Sequence, residues 1–178
     1  KTLLNILQAR AAALGVEIRY RVEVEDLAAF AGSDLVVAAD GINSRIRGMY
    51  AERFRPSIDV RKAKFIWLGT RRPFTGLTLT FRRGDAGWFA AHSYKFSAEA
   101  STFIIECAPE TWAGLGFDRL DAAQRCARLQ EIFAAHLHGR PLIDHRAEVG
   151  GTGWLNYRRL TTRRWDHGTV VLMGDAAH

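Results

Sequence analysis

Two stretches of this chain join an apolar, strand-like run to an acidic residue beside glycine. The first is Leu35-Val36-Val37-Ala38-Ala39-Asp40-Gly41-Ile42-Asn43-Ser44-Arg45-Ile46-Arg47, and the second is Val170-Val171-Leu172-Met173-Gly174-Asp175-Ala176-Ala177-His178. In an open α/β sheet, ligands collect beyond the carboxyl ends of strands. There glycine lets the backbone approach closely, and a following helix offers free N–H groups to phosphate. An aspartate at such a place can accept hydrogen bonds from sugar or ribityl hydroxyls. Taken singly, Asp40 and Asp175 are equally ordinary strand-end turn residues; as a pair they point to a ligand. Ser44 reads as a helix-start cap rather than a reactant.

A third candidate lies in Trp88-Phe89-Ala90-Ala91-His92-Ser93-Tyr94-Lys95-Phe96. Side chains alternate across a strand, so Trp88, Ala90, His92, Tyr94 and Phe96 share one face, opposite Phe89, Ala91, Ser93 and Lys95. The first face could line an aromatic pocket. His92 is its one group that titrates near neutrality and could polarise a ring amino or hydroxyl group. The other reading of His92 is a satisfied core residue. Glu106 is open between a buried partner to a cation and the outward residue of its strand.

Other chemistries find no support. His136 with His138, Asp144 with His145, and Asp166 with His167 lack the further ligands that a metal site needs. Neither G-x-S-x-G nor a phosphate-binding glycine run ending in G-K-[ST] occurs. Only Cys107 and Cys126 are cysteines, which argues against a disulfide scaffold and for a reducing cytoplasm. Lys plus Arg outnumber Asp plus Glu by 25 to 19, giving a net charge of +6. The arginine pairs 71–72, 82–83, 158–159 and 163–164 are scattered along the chain, which speaks against a nucleic-acid footprint. No apolar run approaches the ~20 residues that cross a bilayer, so no membrane partner is expected.

The elements that must position these residues follow from periodicity. The 178 residues are 48% hydrophobic and 25% charged, the balance of an ordinary globular domain or of parts of two. Leu3, Leu4, Ile6, Leu7, Ala11 and Leu14 recur at helical spacing before Gly15, which predicts an amphipathic helix over 2–14. Residues 16–24 alternate apolar and charged, which predicts a half-exposed strand or two short ones. A buried strand is expected over 34–39. Then come four β segments, over 63–70, 77–83, 87–96 and 101–107, with breaks short enough for a four-stranded meander. Pro109 opens a short helix to about Leu115. Asp121 is a candidate N-cap for a helix to about Leu137, carrying a stripe of Cys126, Leu129, Ile132, Phe133 and Leu137. Further strands are expected over 143–149, 153–158 and 169–173. The fold class is mixed α/β.

The two acidic motifs resemble those of the flavin-dependent aromatic hydroxylases, the single-component FAD monooxygenases of the p-hydroxybenzoate hydroxylase type. That family writes them D-G-x-x-S-x-x-R and G-D-A-A-H, and residues 40–47 and 174–178 match both without a gap. The segments 65–70, 87–94, 101–107 and 110–112 are similar to the branch that hydroxylates aromatic coenzyme A thioesters, the anthraniloyl-CoA monooxygenases and salicylyl-CoA 5-hydroxylases. The resemblance implies part of a Rossmann-like FAD-binding domain over 1–55 and 165–178. Between these pieces it implies an inserted antiparallel β-sheet and helix, 56–164, as the substrate domain.

The family's G-x-G-x-x-G element is absent, since Gly151-Thr152-Gly153 lacks the third glycine. The chain is therefore expected to be an internal fragment, inactive and poor at holding FAD by itself, with that element upstream of Lys1 and a C-terminal remainder elsewhere. What the resemblance further implies is an enzyme using FAD, NADH or NADPH and molecular oxygen, which hydroxylates an aromatic ring through a flavin C4a-hydroperoxide. Asp40, Gly41, Arg47, Gly174, Asp175 and Ala176 are the implied cofactor-binding residues. Trp88, His92 and Tyr94 are the candidates for the substrate, and His92 for catalysis. A hydroxylase of a free aromatic acid, another FAD oxidoreductase of this fold, or a non-catalytic binding module are the alternatives.

Overall fold

The computed structural model describes residues 2–144 and 153–178. In chain order its elements are α1 (Thr2–Ala13), β1 (Val36–Ala38), α2 (Arg45–Met49), α3 (Ala51–Phe54), β2 (Pro56–Thr70), β3 (Thr78–Gly84), β4 (Gly87–Lys95) and β5 (Ser101–Cys107). There follow α4 (Pro109–Gly114), α5 (Ala122–Ile132), α6 (Ala134–Leu137), β6 (Leu142–Ile143), β7 (Leu155–Thr162), β8 (Asp166–His167) and β9 (Val170–Leu172). The chain divides into two compact units, one of Lys1–Pro56 with Thr161–His178 and the other of Ser57–Leu160. No helix among the described residues is long and apolar enough to cross a membrane.

In the first unit, β1 and β9 pair in parallel, with Val36 opposite Val170 and Ala38 opposite Leu172, and β8 joins the outer side of β9. Ala38, Ile46, Phe54, Val170, Leu172 and Ala177 form its core. The expected helix over 2–14 forms as α1 but buries none of its residues, and Leu3, Leu4, Ile6 and Leu7 are all exposed. The strand expected over 16–24 does not form. Those residues pair with no other strand, and Arg21 adopts a positive φ of 58°. Alternation marks a strand only where a neighbouring ladder takes up its N–H and C=O groups, and no described strand pairs with this segment.

The second unit is an antiparallel sheet in the order β3-β4-β5-β2-β6, with β7 also pairing β2. The four segments expected as a meander therefore connect differently. β3, β4 and β5 follow one another, but β2 lies beside β5, with Lys64 opposite Cys107 and Thr70 opposite Ser101. This is a Greek-key order. The link after β2 is anchored on β5, because the Phe74 amide donates to Ser101 Oγ at 3.2 Å and the Phe74 ring is buried beside Phe103. That anchor carries the chain past β5 and β4 before β3 begins at the outer edge.

One sheet face carries Ile66, Leu68, Phe89, Ala91, Phe103 and Ile105 into a core closed by Leu129, Phe133 and Leu137. The helix expected to run to about Leu137 breaks at Phe133 into α5 and α6. Asp121 caps α5 as expected, accepting from the Gln124 amide at 2.8 Å while the Gln124 side chain accepts from the Asp121 amide at 3.1 Å. Arg125 and Asp144 form a buried ion pair, their side chains 2% and 5% exposed. Of the two strands expected near there, β6 covers only Leu142–Ile143, and β7 begins at Leu155 and continues to Thr162. Asp144 is in no strand, and residues 145–149 of the expected strand, with Gly151-Thr152, lie outside the described residues.

Candidate functional site

The strand-end loop after β1 is shaped by its own side chains. Asp40 Oδ2 accepts from the backbone amides of Arg45 (2.9 Å) and Ile46 (3.3 Å), and Ser44 Oγ accepts from the Arg47 amide at 3.0 Å. Both satisfy amides that the first turn of α2 cannot pair internally. Partial burial pushes the Asp40 carboxyl up. The Ser44 hydroxyl and the amides of Ile46, Asp40 and Arg45 outweigh it and hold the group below its ordinary value. Ser44 is thus the expected cap.

Arg47 joins the two motifs. Its side chain is buried, and the guanidinium donates to the Ala176 carbonyl at 2.9 Å and to the Ile42 carbonyl. The loops after β1 and β9 are thereby held side by side. Around the arginine, Ala176 and Ala177 are fully buried, whereas Asp175 is exposed and receives no hydrogen bond from the described residues. Gly41 (φ 83°) and Gly174 (φ 59°) both take left-handed conformations that favour glycine, and a methyl group added to either would meet no atom within 4 Å. The glycines thus leave open backbone beside a carboxylate with unused acceptor capacity. That combination suits an extended ligand rich in hydroxyl and phosphate groups, and FAD is one.

In the second unit the β4 alternation is as read from the sequence. Phe89, Ala91 and Ser93 are buried in the core, while Trp88, Ala90, His92 and Tyr94 are on the uncovered face. The His92 side chain is 38% exposed, so it is not a core residue. Trp88 lines an open cleft of about 580 Å³ together with Phe81, Phe89, Ala90, Cys107 and Glu106. His92 and Tyr94 lie farther along the strand and do not line it. His92 Nε2 nevertheless stands 3.3 Å from Glu106 Oε1, which also accepts from the Tyr157 hydroxyl at 3.0 Å. Tyr157 stacks on Phe65 with ring centroids 4.0 Å apart. Burial, then the hydrogen bond to and charge of Glu106, push its phenol up to about 12. The Cys107 thiol, desolvated in the core despite the nearby Lys64 charge, is likewise pushed up to about 12.

Sequence reasoning singled out neither Tyr157 nor Phe81, and left Glu106 undecided. Register supplies the missing signal: Ala90 lies opposite both Phe81 and Glu106, and Phe65 lies opposite Glu106, so these residues share the uncovered face.

No family model matches the chain. Salicyloyl-CoA 5-hydroxylase of a Streptomyces species is 42% identical over 186 residues, which cover all of this chain and 35% of that protein. The chain is similar, over its whole length, to the flavin-dependent aromatic hydroxylases. Within the family, protodeoxyviolaceinate monooxygenase of Chromobacterium violaceum is 33% identical over 98% of this chain and 46% of the relative. The 3-hydroxy-4-methyl-anthranilyl-[aryl-carrier protein] 5-monooxygenase of Streptosporangium sibiricum is 34% identical over 100% of this chain and 45% of the relative. The chain thus spans between a third and a half of the length of these relatives. Its fold matches the tetrameric form of 2-methyl-3-hydroxypyridine-5-carboxylic acid oxygenase with a TM-score of 0.62 at 20% identity, covering 99% of this chain and 49% of that one. FAD is the cofactor of the family.

Proposed function

We propose that this chain contributes the flavin-facing loops and the aromatic-binding sheet of an FAD- and NAD(P)H-dependent monooxygenase that hydroxylates an aromatic acyl-CoA, such as anthraniloyl-CoA or salicylyl-CoA. The observation that carries this reading is the buried Arg47, which holds the Asp40-Gly41 loop against the Gly174-Asp175 loop while both glycines stay open. When bound, FAD supplies the activation of molecular oxygen that no side chain can perform. Asp175 accepts hydrogen bonds from cofactor hydroxyls, and Gly41 and Gly174 admit its chain. Asp40 fixes the first turn of α2, and Arg47 and the Ala176 carbonyl hold the cradle from behind.

On the sheet, the flat faces of Trp88 and Phe81 give an aromatic ring apolar walls. A cleft of about 580 Å³ lies within the range of small-molecule sites. The apolar lining keeps water off the ring face that lies against it, and His92 and Tyr94 offer polar groups along the same strand. The thioester is favoured by the names of the Streptomyces and Streptosporangium relatives.

The test is NAD(P)H oxidation by the protein as encoded by its gene, with FAD, comparing anthraniloyl-CoA and salicylyl-CoA with their free acids and counting hydroxylated product. Stimulation by the thioesters is expected. Stimulation by free acids alone would move the substrate to that class. Failure to bind FAD or to consume reductant with any of them would overturn the enzymatic reading in favour of a binding module.

A further inference from the structure

Resting on the reading of the uncovered sheet face as the aromatic site, we propose that Glu106 selects the substrate, by accepting a hydrogen bond from an amino or hydroxyl substituent on its ring. Glu106 is the one acidic group lining a cleft otherwise made of Phe81, Trp88, Phe89, Ala90, Cys107 and Ala63. Its side chain is 25% exposed, and a carboxylate in such an apolar setting is costly unless it is partnered. The partners are present on one oxygen only. Oε1 accepts from Tyr157 and stands 3.3 Å from His92 Nε2, whereas Oε2 receives no hydrogen bond from the described residues.

The arrangement is a fixed acceptor with one oxygen held and one left for a ligand. Tyr157 is clamped by stacking on Phe65, and its phenol keeps its proton up to about pH 12, so it donates to Glu106 across the whole working range. Tyr157 and His92 are therefore positioning residues. A carboxylate held in place accepts strongly from an N–H or O–H and repels another carboxylate. It thus favours rings bearing a donor, and it disfavours a free acid whose carboxylate would have to lie in the cleft. A thioester, which carries no such charge, removes that repulsion.

The test is calorimetric titration of the oxidised, FAD-loaded protein as encoded, without reductant, using anthraniloyl-CoA and benzoyl-CoA. A hydrogen bond to a charged acceptor predicts that anthraniloyl-CoA binds about tenfold to a hundredfold more tightly than benzoyl-CoA. Glu106→Gln should cut that ratio at least fivefold, and Glu106→Met should bring it close to one, with benzoyl-CoA affinity kept within about threefold. Tyr157→Phe, which keeps the stacking, should lower the ratio by an intermediate amount, whereas a merely structural change would weaken both ligands alike. Equal binding of the two thioesters by the unmodified protein, or a ratio that survives both Glu106 variants, would overturn this assignment and leave the aromatic site standing. Absence of binding by either thioester would overturn both.

Discussion

Arg47→Met tests whether the two strand-end loops form one cradle. Methionine retains the apolar stem and much of the volume of the buried side chain, so the change isolates the guanidinium. Two charged hydrogen bonds are lost, one to the Ala176 carbonyl and one to the Ile42 carbonyl. At roughly 1.5–3 kcal/mol each their sum is about 3–6 kcal/mol. Ile42 is only half-buried, so its carbonyl regains water when the arginine leaves, and the lower end of about 3 kcal/mol is the better figure. If that loss falls on local opening, amide exchange accelerates by about 100-fold. Native-state hydrogen exchange read by mass spectrometry on peptides spanning 40–48 and 174–178 measures it. Both peptides should accelerate together, because one side chain bridges them. Arg45→Met is the control. Arg45 forms only an exposed ion pair with Glu23, and its loss should change exchange by less than about fivefold. Acceleration of the 40–48 peptide alone, or of neither in a folded Arg47→Met protein, would refute the bridge.

Three other outcomes are expected. Because the Asp40 carboxyl is held below its ordinary value in the folded chain, its support of α2 is complete above the unfolded carboxyl range near pH 4 and is lost as pH falls through the lower folded value. Ile46 amide exchange followed from pH 6 to pH 2 should show that sign, and Asp40→Asn should flatten the profile. Phe133→Ala removes a fully buried ring that meets Phe89 and Phe103 edge-on, and should cost about 3–5 kcal/mol in denaturant unfolding. Asp144→Asn leaves Arg125 buried without its ionised partner and should cost roughly 3–5 kcal/mol, whereas the double variant Arg125→Met with Asp144→Leu should recover most of it in the same assay.

Features set by neighbours in the chain were legible in the sequence. Asp121 at the start of α5, Ser44 ahead of α2, and the two faces of β4 all depend on residues a few positions apart, and each formed as read. Features set by partners far along the chain were not. Residues 16–24 carry a strand pattern with no ladder to join, and β2 takes β5 rather than β3 as its neighbour because Phe74 is anchored on Ser101. The family motif included Arg47, but its bond to Ala176 spans 129 positions and no local pattern encodes it. Likewise Tyr157 reaches Glu106 from 51 residues away, so their meeting becomes visible only once the sheet register is known.

The Greek-key order also constrains the sequence of events in biosynthesis. β3 and β4 close on each other across a tight turn between Gly84 and Gly87, and β5 can add as soon as it emerges from the ribosome. β2 is made earlier than all three, yet its residues 64–70 pair with β5, so they must wait with their hydrogen-bonding groups unpaired on that side while the hairpin is synthesised. An unpaired strand bearing Phe65, Ile66, Trp67 and Leu68 is a hazard for mispairing between nascent chains. The charges just upstream, Arg61, Lys62 and Lys64, act as gatekeepers over that interval. β1 waits longer still, since its parallel partner β9 follows the entire second unit. The sheet that presents Asp40 and Asp175 is therefore completed only after the aromatic-binding sheet has had time to fold, and slowing translation between β2 and β5 should lengthen the vulnerable period of one strand without altering the final register.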